Sequence, residues 1–216
     1  MEKKHMNEIK KVICIGSNCI AADIMHSVGM REASPVDNIS CFNIWKSHSL
    51  FDEEFKNLLF KLPYEVRYST EQEQRKYFYE KKVFRFHRGF YIVHNDFESQ
   101  KFKKSIKKRI KNFKKYYKQS LRDDGLWYVY SLNLDDENLI DEYFNQLLPS
   151  LPQVCRSRLI CLGMRGHNPL FEKYFKYYLD CGEEESYKWH DKKTALLIIN
   201  QLEKKYDLKF LLPEGI

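Results

Sequence analysis

Three short apolar runs constrain this chain more than any other feature: Val12–Ile15, Trp127–Leu132 and Arg158–Leu162. Each is bounded by polar or glycine-containing turns, and each is followed by a segment with helical periodicity. Continuous apolar runs of this length mark strands covered on both faces, because neither face is left for water. Strand followed by helix, three times over, predicts helices layered on a parallel sheet. The expected class is a three-layer α/β fold, flavodoxin/SGNH-like, with a mostly parallel sheet and an inserted helix–hairpin segment.

End signals fix the helices. The pattern that starts at Cys19 runs to Val28, and Gly29 stands where a left-handed cap is common. Acidic residues from Asp135 to Glu137 suit the positive end of a helix over 135–148. Pro169 opens PLFEKYFKYYL, read as one helix over 169–179, and a last helix covers 192–206. In the long middle, Thr70-Glu-Gln-Glu73 is a capping box, predicting a helix to about Lys81. VFRF and FYIV then read as two strands around a turn at Gly89, ending at His94. With no repeat and no Pro/Ser linker, 1–216 reads as one domain with an insertion over about 45–100.

At 43% hydrophobic and 15% aromatic residues, the chain can bury a core and is not of the disordered class. No run approaches the roughly 18 apolar residues of a membrane span. No secretory apolar region follows MEKKHMNEIKK, so the expected location is cytoplasmic. Cysteines 14, 19, 41, 155, 161 and 181 form no CxxC pair, which predicts reduced thiols and no zinc site. Cys14 and Cys161 fall inside apolar runs and are expected to be buried and inert. Neither GxGxxG nor a Walker-type loop is present, so no cofactor is expected.

The net charge of +7 is concentrated in KFKKSIKKRIKNFKKYYKQSLR, residues 101–122, which holds no acidic residue. Phe102, Ile106, Ile110, Phe113, Tyr117 and Leu121 recur at helical spacing. This predicts a helix packed by one stripe, with a solvated basic face. The same face is suited to phosphates, acidic sugars or an anionic membrane surface. Nucleic acid is not expected, since no reader motif accompanies the charge.

The chemistry centres on Gly16-Ser17-Asn18-Cys19, where a strand gives way to a helix. In open α/β sheets ligands gather at the carboxyl ends of strands. Gly16 permits a tight turn, and Ser17 or Asn18 can cap the helix. A cysteine at a helix N-terminus feels the positive dipole end, which favours thiolate, and the exposed amides there suit an oxyanion. Inert folds also use such turns, so spacing leaves open a Cys19 that is merely a small buried residue.

Ile15-Gly-Ser-Asn-Cys19, Ser34-Pro-Val-Asp37 and Val93-His-Asn-Asp-Phe97 together resemble the DUF1796 family, described as papain-like cysteine peptidases. The likeness continues through the basic helix, WYVYSL, and Tyr187-Lys-Trp-His-Asp191, and so spans most of the chain. Where the family often has Trp after the second-element Asp, this chain has Asn38, a difference that bears on pocket shape. The resemblance implies a cysteine nucleophile, with His94 and Asp37 in the matching elements. Papain-like folds set the cysteine against an antiparallel barrel, whereas the periodicity here predicts a parallel sheet, and periodicity is given the greater weight.

A thiol nucleophile needs a base oriented by a third polar group. His94 is the first candidate. His190, in a WHD loop like the late histidine loop of SGNH esterases, is the rival, with Asp191 beside it. His167, next to Arg165, also follows a strand. Asp96 lies two residues from His94 and would share its side in an extended stretch; Asp37 is the other candidate for the third member. Either could cap a turn instead. The expected function is acyl chemistry by Cys19 on a small-molecule or peptide substrate, anionic in the case of an acyl-CoA or acidic glycan. The alternatives are an acyltransferase or esterase acting on a sugar, or a non-catalytic module for an anionic ligand.

Overall fold

The computed structural model describes residues 6–15, 20–32, 34, 40–41, 64–68, 82–86, 90–92, 99–132, 145, 148–149, 151–163, 169–182 and 191–216. Its centre is a five-stranded sheet in which every neighbouring pair is parallel. The strands are β2 (Lys11–Cys14), β3 (Arg31–Glu32), β8 (Leu126–Leu132), β9 (Leu159–Gly163) and β10 (Tyr177–Asp180). Two further strands, β1 (Asn7–Ile9) and β11 (Leu208–Phe210), pair in parallel and bring the two ends of the chain together. A four-stranded antiparallel sheet is formed by β4 (Ser40–Cys41), β5 (Tyr64–Tyr68), β6 (Lys82–Phe86) and β7 (Phe90–Ile92).

In space the five parallel strands run β3-β2-β8-β9-β10. Numbered along the chain, that is the flavodoxin-like order 2-1-3-4-5. The α/β class and the three expected strands are therefore as read from the sequence, each within a residue of its expected ends.

Register explains why these strands are apolar throughout. Val12 faces Trp127, Cys14 faces Val129, Val129 faces Ile160, and Leu179 faces Leu162. These residues form one face of the sheet and pack with α1 (Ile20–Ser27) and α5 (Lys192–Tyr206). Ala195, Ile198, Ile199 and Leu202 of α5 repeat at three, four and seven residues, the period that keeps one stripe turned inward. The alternate residues Ile13, Tyr128, Leu159, Cys161 and Tyr178 form the other face and are equally buried. Against them lie α2 (Gln100–Ser120), α3 (Gln153–Ser157) and α4 (Pro169–Tyr174), with Ser120 bonded to Tyr128 and the Phe171 ring 5.4 Å from Tyr178. Helices on both faces of the sheet make three layers.

The helix ends follow local rules. Gly29 takes φ 67°, Gly29 N–H donates to His26 and Met30 N–H donates to Met25, a Schellman closure of α1. Ser99 caps α2 through the Phe102 amide. The basic segment is one helix with Phe102, Ile106, Ile110 and Phe113 buried. The expected stripe continues to the half-buried Tyr117 and ends before Leu121, which falls at the C-cap and is 58% exposed.

One expectation is corrected. The helix read over 169–179 ends at Tyr174, and Tyr177–Asp180 is the fifth parallel strand. Pairing with β9 in full register outweighs the helical spacing of the aromatic residues. The free edge of β10 is closed by Tyr206, whose hydroxyl accepts from the Tyr178 amide at 2.9 Å and donates to its carbonyl. The hairpin expected from VFRF and FYIV is present as β6 and β7. The helix expected to end near Lys81 lies outside the described residues. Of the helix over 135–148 only Asn145 and Leu148 are described, both helical.

Candidate functional site

The chain leaves β2 for β3 on one side and later enters β8 on the other. The strand order therefore reverses between β2 and β8. In an open α/β sheet the loops diverge at such a reversal and leave a crevice at the carboxyl ends of the two strands. The β2 end is firmly tied, since the Ile15 amide donates to the Val129 carbonyl at 2.9 Å. Five residues later Ile20 begins α1. Gly16, Ser17, Asn18 and Cys19 connect the two; they lie outside the described residues.

Buried polar residues are scarce among the described residues. They are Ser34, Ser120 and Ser131. Two of the three belong to the carboxyl edge: Ser131 one residue from the end of β8, and Ser34 two residues past β3. The Ser34 carbonyl accepts from the Arg109 guanidinium of α2 at 3.3 Å. This bond ties Ser34 to α2. Sequence reading placed Ser34 at the start of the Ser34-Pro-Val-Asp37 element but gave neither serine a buried role, although Ser131 is the one hydroxyl in LWYVYSL without an aromatic ring to bury, a legible irregularity in a strand closed on both faces.

Asp191 is described. It is the N-cap of α5, exposed, and its carboxylate accepts from the amides of Lys193 and Thr194 at 3.3 Å each. Because Tyr206 in the last turn of α5 meets β10 near its start, α5 runs against the strands. Its first turn, with Asp191, therefore lies toward the carboxyl edge of the sheet. Asp37, His94, Asp96, Arg165, His167 and His190 lie outside the described residues. His94 comes two residues after the end of β7. His26 is exposed in the last turn of α1.

The thiols of Cys14, Cys155, Cys161 and Cys181 are shielded from acting as nucleophiles. Cys14, Cys155 and Cys161 are buried. Burial holds the Cys155 and Cys161 thiols well above the ordinary range, because the anion would lie in an apolar interior. Cys181 is half-buried, and burial with the nearby Asp180 carboxylate pushes it up to about 12. Among the described residues no group of three His, Cys, Asp or Glu is arranged to hold a metal ion. No helix among them is long and apolar enough to cross a membrane.

Comparison with models of known protein families, with curated proteins and with solved structures found no match.

Proposed function

We propose that this chain is a thiol-dependent enzyme of acyl chemistry, a hydrolase or an acyltransferase, with Cys19 as nucleophile. The observation that carries this reading is where the GSNC segment is attached: after β2, before α1, beside the reversal of strand order. A second support is that the described thiols at 155, 161 and 181 are held protonated by their surroundings. The DUF1796 resemblance points the same way, on a parallel-sheet scaffold instead of a papain-like barrel.

In this mechanism the Cys19 sulfur attacks a substrate carbonyl and its proton passes to His94, with His190 as the rival base. Asp37 or Asp96 orients the imidazole. Backbone amides of Gly16–Cys19 receive the oxyanion. The leaving group departs with the proton from the imidazolium, leaving a thioester on Cys19. Water then regenerates the thiol in a hydrolase, or an acceptor hydroxyl does so in a transferase. The substrate class is a peptide or an acyl donor such as acyl-CoA, and the compartment is the cytoplasm, where thiols stay reduced.

The test is acylation. The protein is incubated with an acyl-CoA and with an activated ester, quenched in acid, and mapped by peptide mass spectrometry. Acyl mass on Cys19, absent in Cys19→Ala, supports the reading. An unlabelled Cys19, or label shared equally with Cys41, contradicts it.

A further inference from the structure

The helix α2 is 21 residues long, about 31 Å at 1.5 Å per residue. Its buried stripe, Phe102, Ile106, Ile110 and Phe113, fixes one side on the sheet. On the opposite side lie Lys101, Lys104, Lys108, Lys111, Lys115, Lys118 and, just past the C-cap, Arg122. These are spaced alternately three and four residues apart, which keeps them on one line, and all seven are exposed. None of the seven forms an ion pair among the described residues; Lys115 rests over the neighbouring Tyr116 ring at 5.5 Å.

This arrangement works against the helix itself. Like charges three and four apart repel, and Lys101 and Lys103 in the first turn oppose the helix dipole, with no acid there to offset them. The charge is also local: residues 101–122 contain eleven cations and no acid, so the rest of the chain carries a net −4.

We infer that this face docks on an anionic phospholipid bilayer. Clusters of about four to eight Lys and Arg on a helix suit acidic headgroups, and seven in a straight row can meet a plane together. The apolar stripe is committed to the sheet, so contact is by charge at the surface, without insertion. The rest of the sequence is net negative, so the chain's excess positive charge resides in this one segment. A nucleic-acid partner is disfavoured. No base-reading motif accompanies the charge.

The experiment is flotation of the full chain with phosphatidylcholine vesicles, with and without phosphatidylserine. The expected result is binding to the mixed vesicles only, lost between about 0.1 M and about 1 M salt as the screening length shrinks from about 10 to about 3 Å. The triple variant Lys108→Gln, Lys111→Gln, Lys115→Gln is expected to bind roughly a hundredfold more weakly, at about fivefold per charge. Circular dichroism should show α2 retained. The control triple Lys192→Gln, Lys193→Gln, Lys204→Gln, on the opposite side of the sheet, loses the same net charge and is expected to bind like the parent. Equal loss in both triples, equal binding to neutral vesicles, or displacement from mixed vesicles by sub-stoichiometric single-stranded RNA would overturn the proposal.

Discussion

The hydroxyls of Ser120 and Tyr128 lie 2.7 Å apart in the buried seam between α2 and β8. Ser120 gives its own proton to the Tyr117 carbonyl, also at 2.7 Å, so the shared proton comes from Tyr128. The basic helix is thus held to the sheet at its far end by a polar bond and along its length by apolar packing. Ser120→Ala removes the acceptor and is expected to destabilise by about 1–3 kcal/mol, while Tyr128→Phe removes only the donor and costs about 1 kcal/mol. Urea denaturation of both single variants and the double variant checks this. The double variant should be less unstable than the two effects added together.

Gly163 ends β9 directly under the Tyr178 ring. A Cβ there would fall on the Tyr178 hydroxyl and come within 3.0 Å of the ring carbons. The ring is fully buried and cannot swing aside. Gly163→Ala is therefore expected to cost about 1–3 kcal/mol through overpacking. Amide exchange should be fastest in β10, the strand that must shift; uniform exchange across the sheet would contradict this account.

Asp191 separates structure from chemistry by a conservative change. Asp191→Ala should lose the cap of α5 and about 1 kcal/mol, whereas Asp191→Asn caps equally well. Thermal melts check both. If Asp191→Asn melts like the parent yet acylates Cys19 more slowly, the carboxylate serves the site as well as the helix.

The buried thiols make the fold sensitive to alkali. Unfolded thiols ionise near pH 8.5. Folded Cys155 and Cys161 keep their protons well beyond that, and Cys181 keeps its proton to about 12. Above the ordinary thiol range the unfolded chain binds fewer protons than the native one, so stability falls as pH rises. Below about pH 8 this contribution is fully present. Urea midpoints should therefore fall from neutral pH to pH 10, and Cys181→Ser should flatten part of that fall.

What the sequence made legible follows from which interactions are local. VICI, WYVYSL and LICL announced themselves because both faces of each strand are buried. Gly29 announced the end of α1 because a positive φ has few tolerant residues. The YYLD strand was hidden, since its aromatic residues fit a helical period and only pairing with β9 makes it extended. The β1–β11 pairing joins residues about 200 positions apart, and no local pattern carries such a contact. For the site, the strand before Gly16 and the helix after Cys19 were legible. The burial of Ser34 was not, and its bond to Arg109 joins residues 75 positions apart, which no local pattern carries.

The central claim is that Cys19 is an activated thiol with a histidine base. The most direct measurement is the pH dependence of Cys19 alkylation by iodoacetamide, resolved by site, in the parent, His94→Ala and His190→Ala. The buried thiols at 14, 155 and 161 serve as unreactive internal references. The account predicts a Cys19 rate that titrates well below about 8.5, restored toward that value by one of the two histidine changes and not the other. A Cys19 that reacts no faster than the buried thiols until the protein unfolds would contradict it.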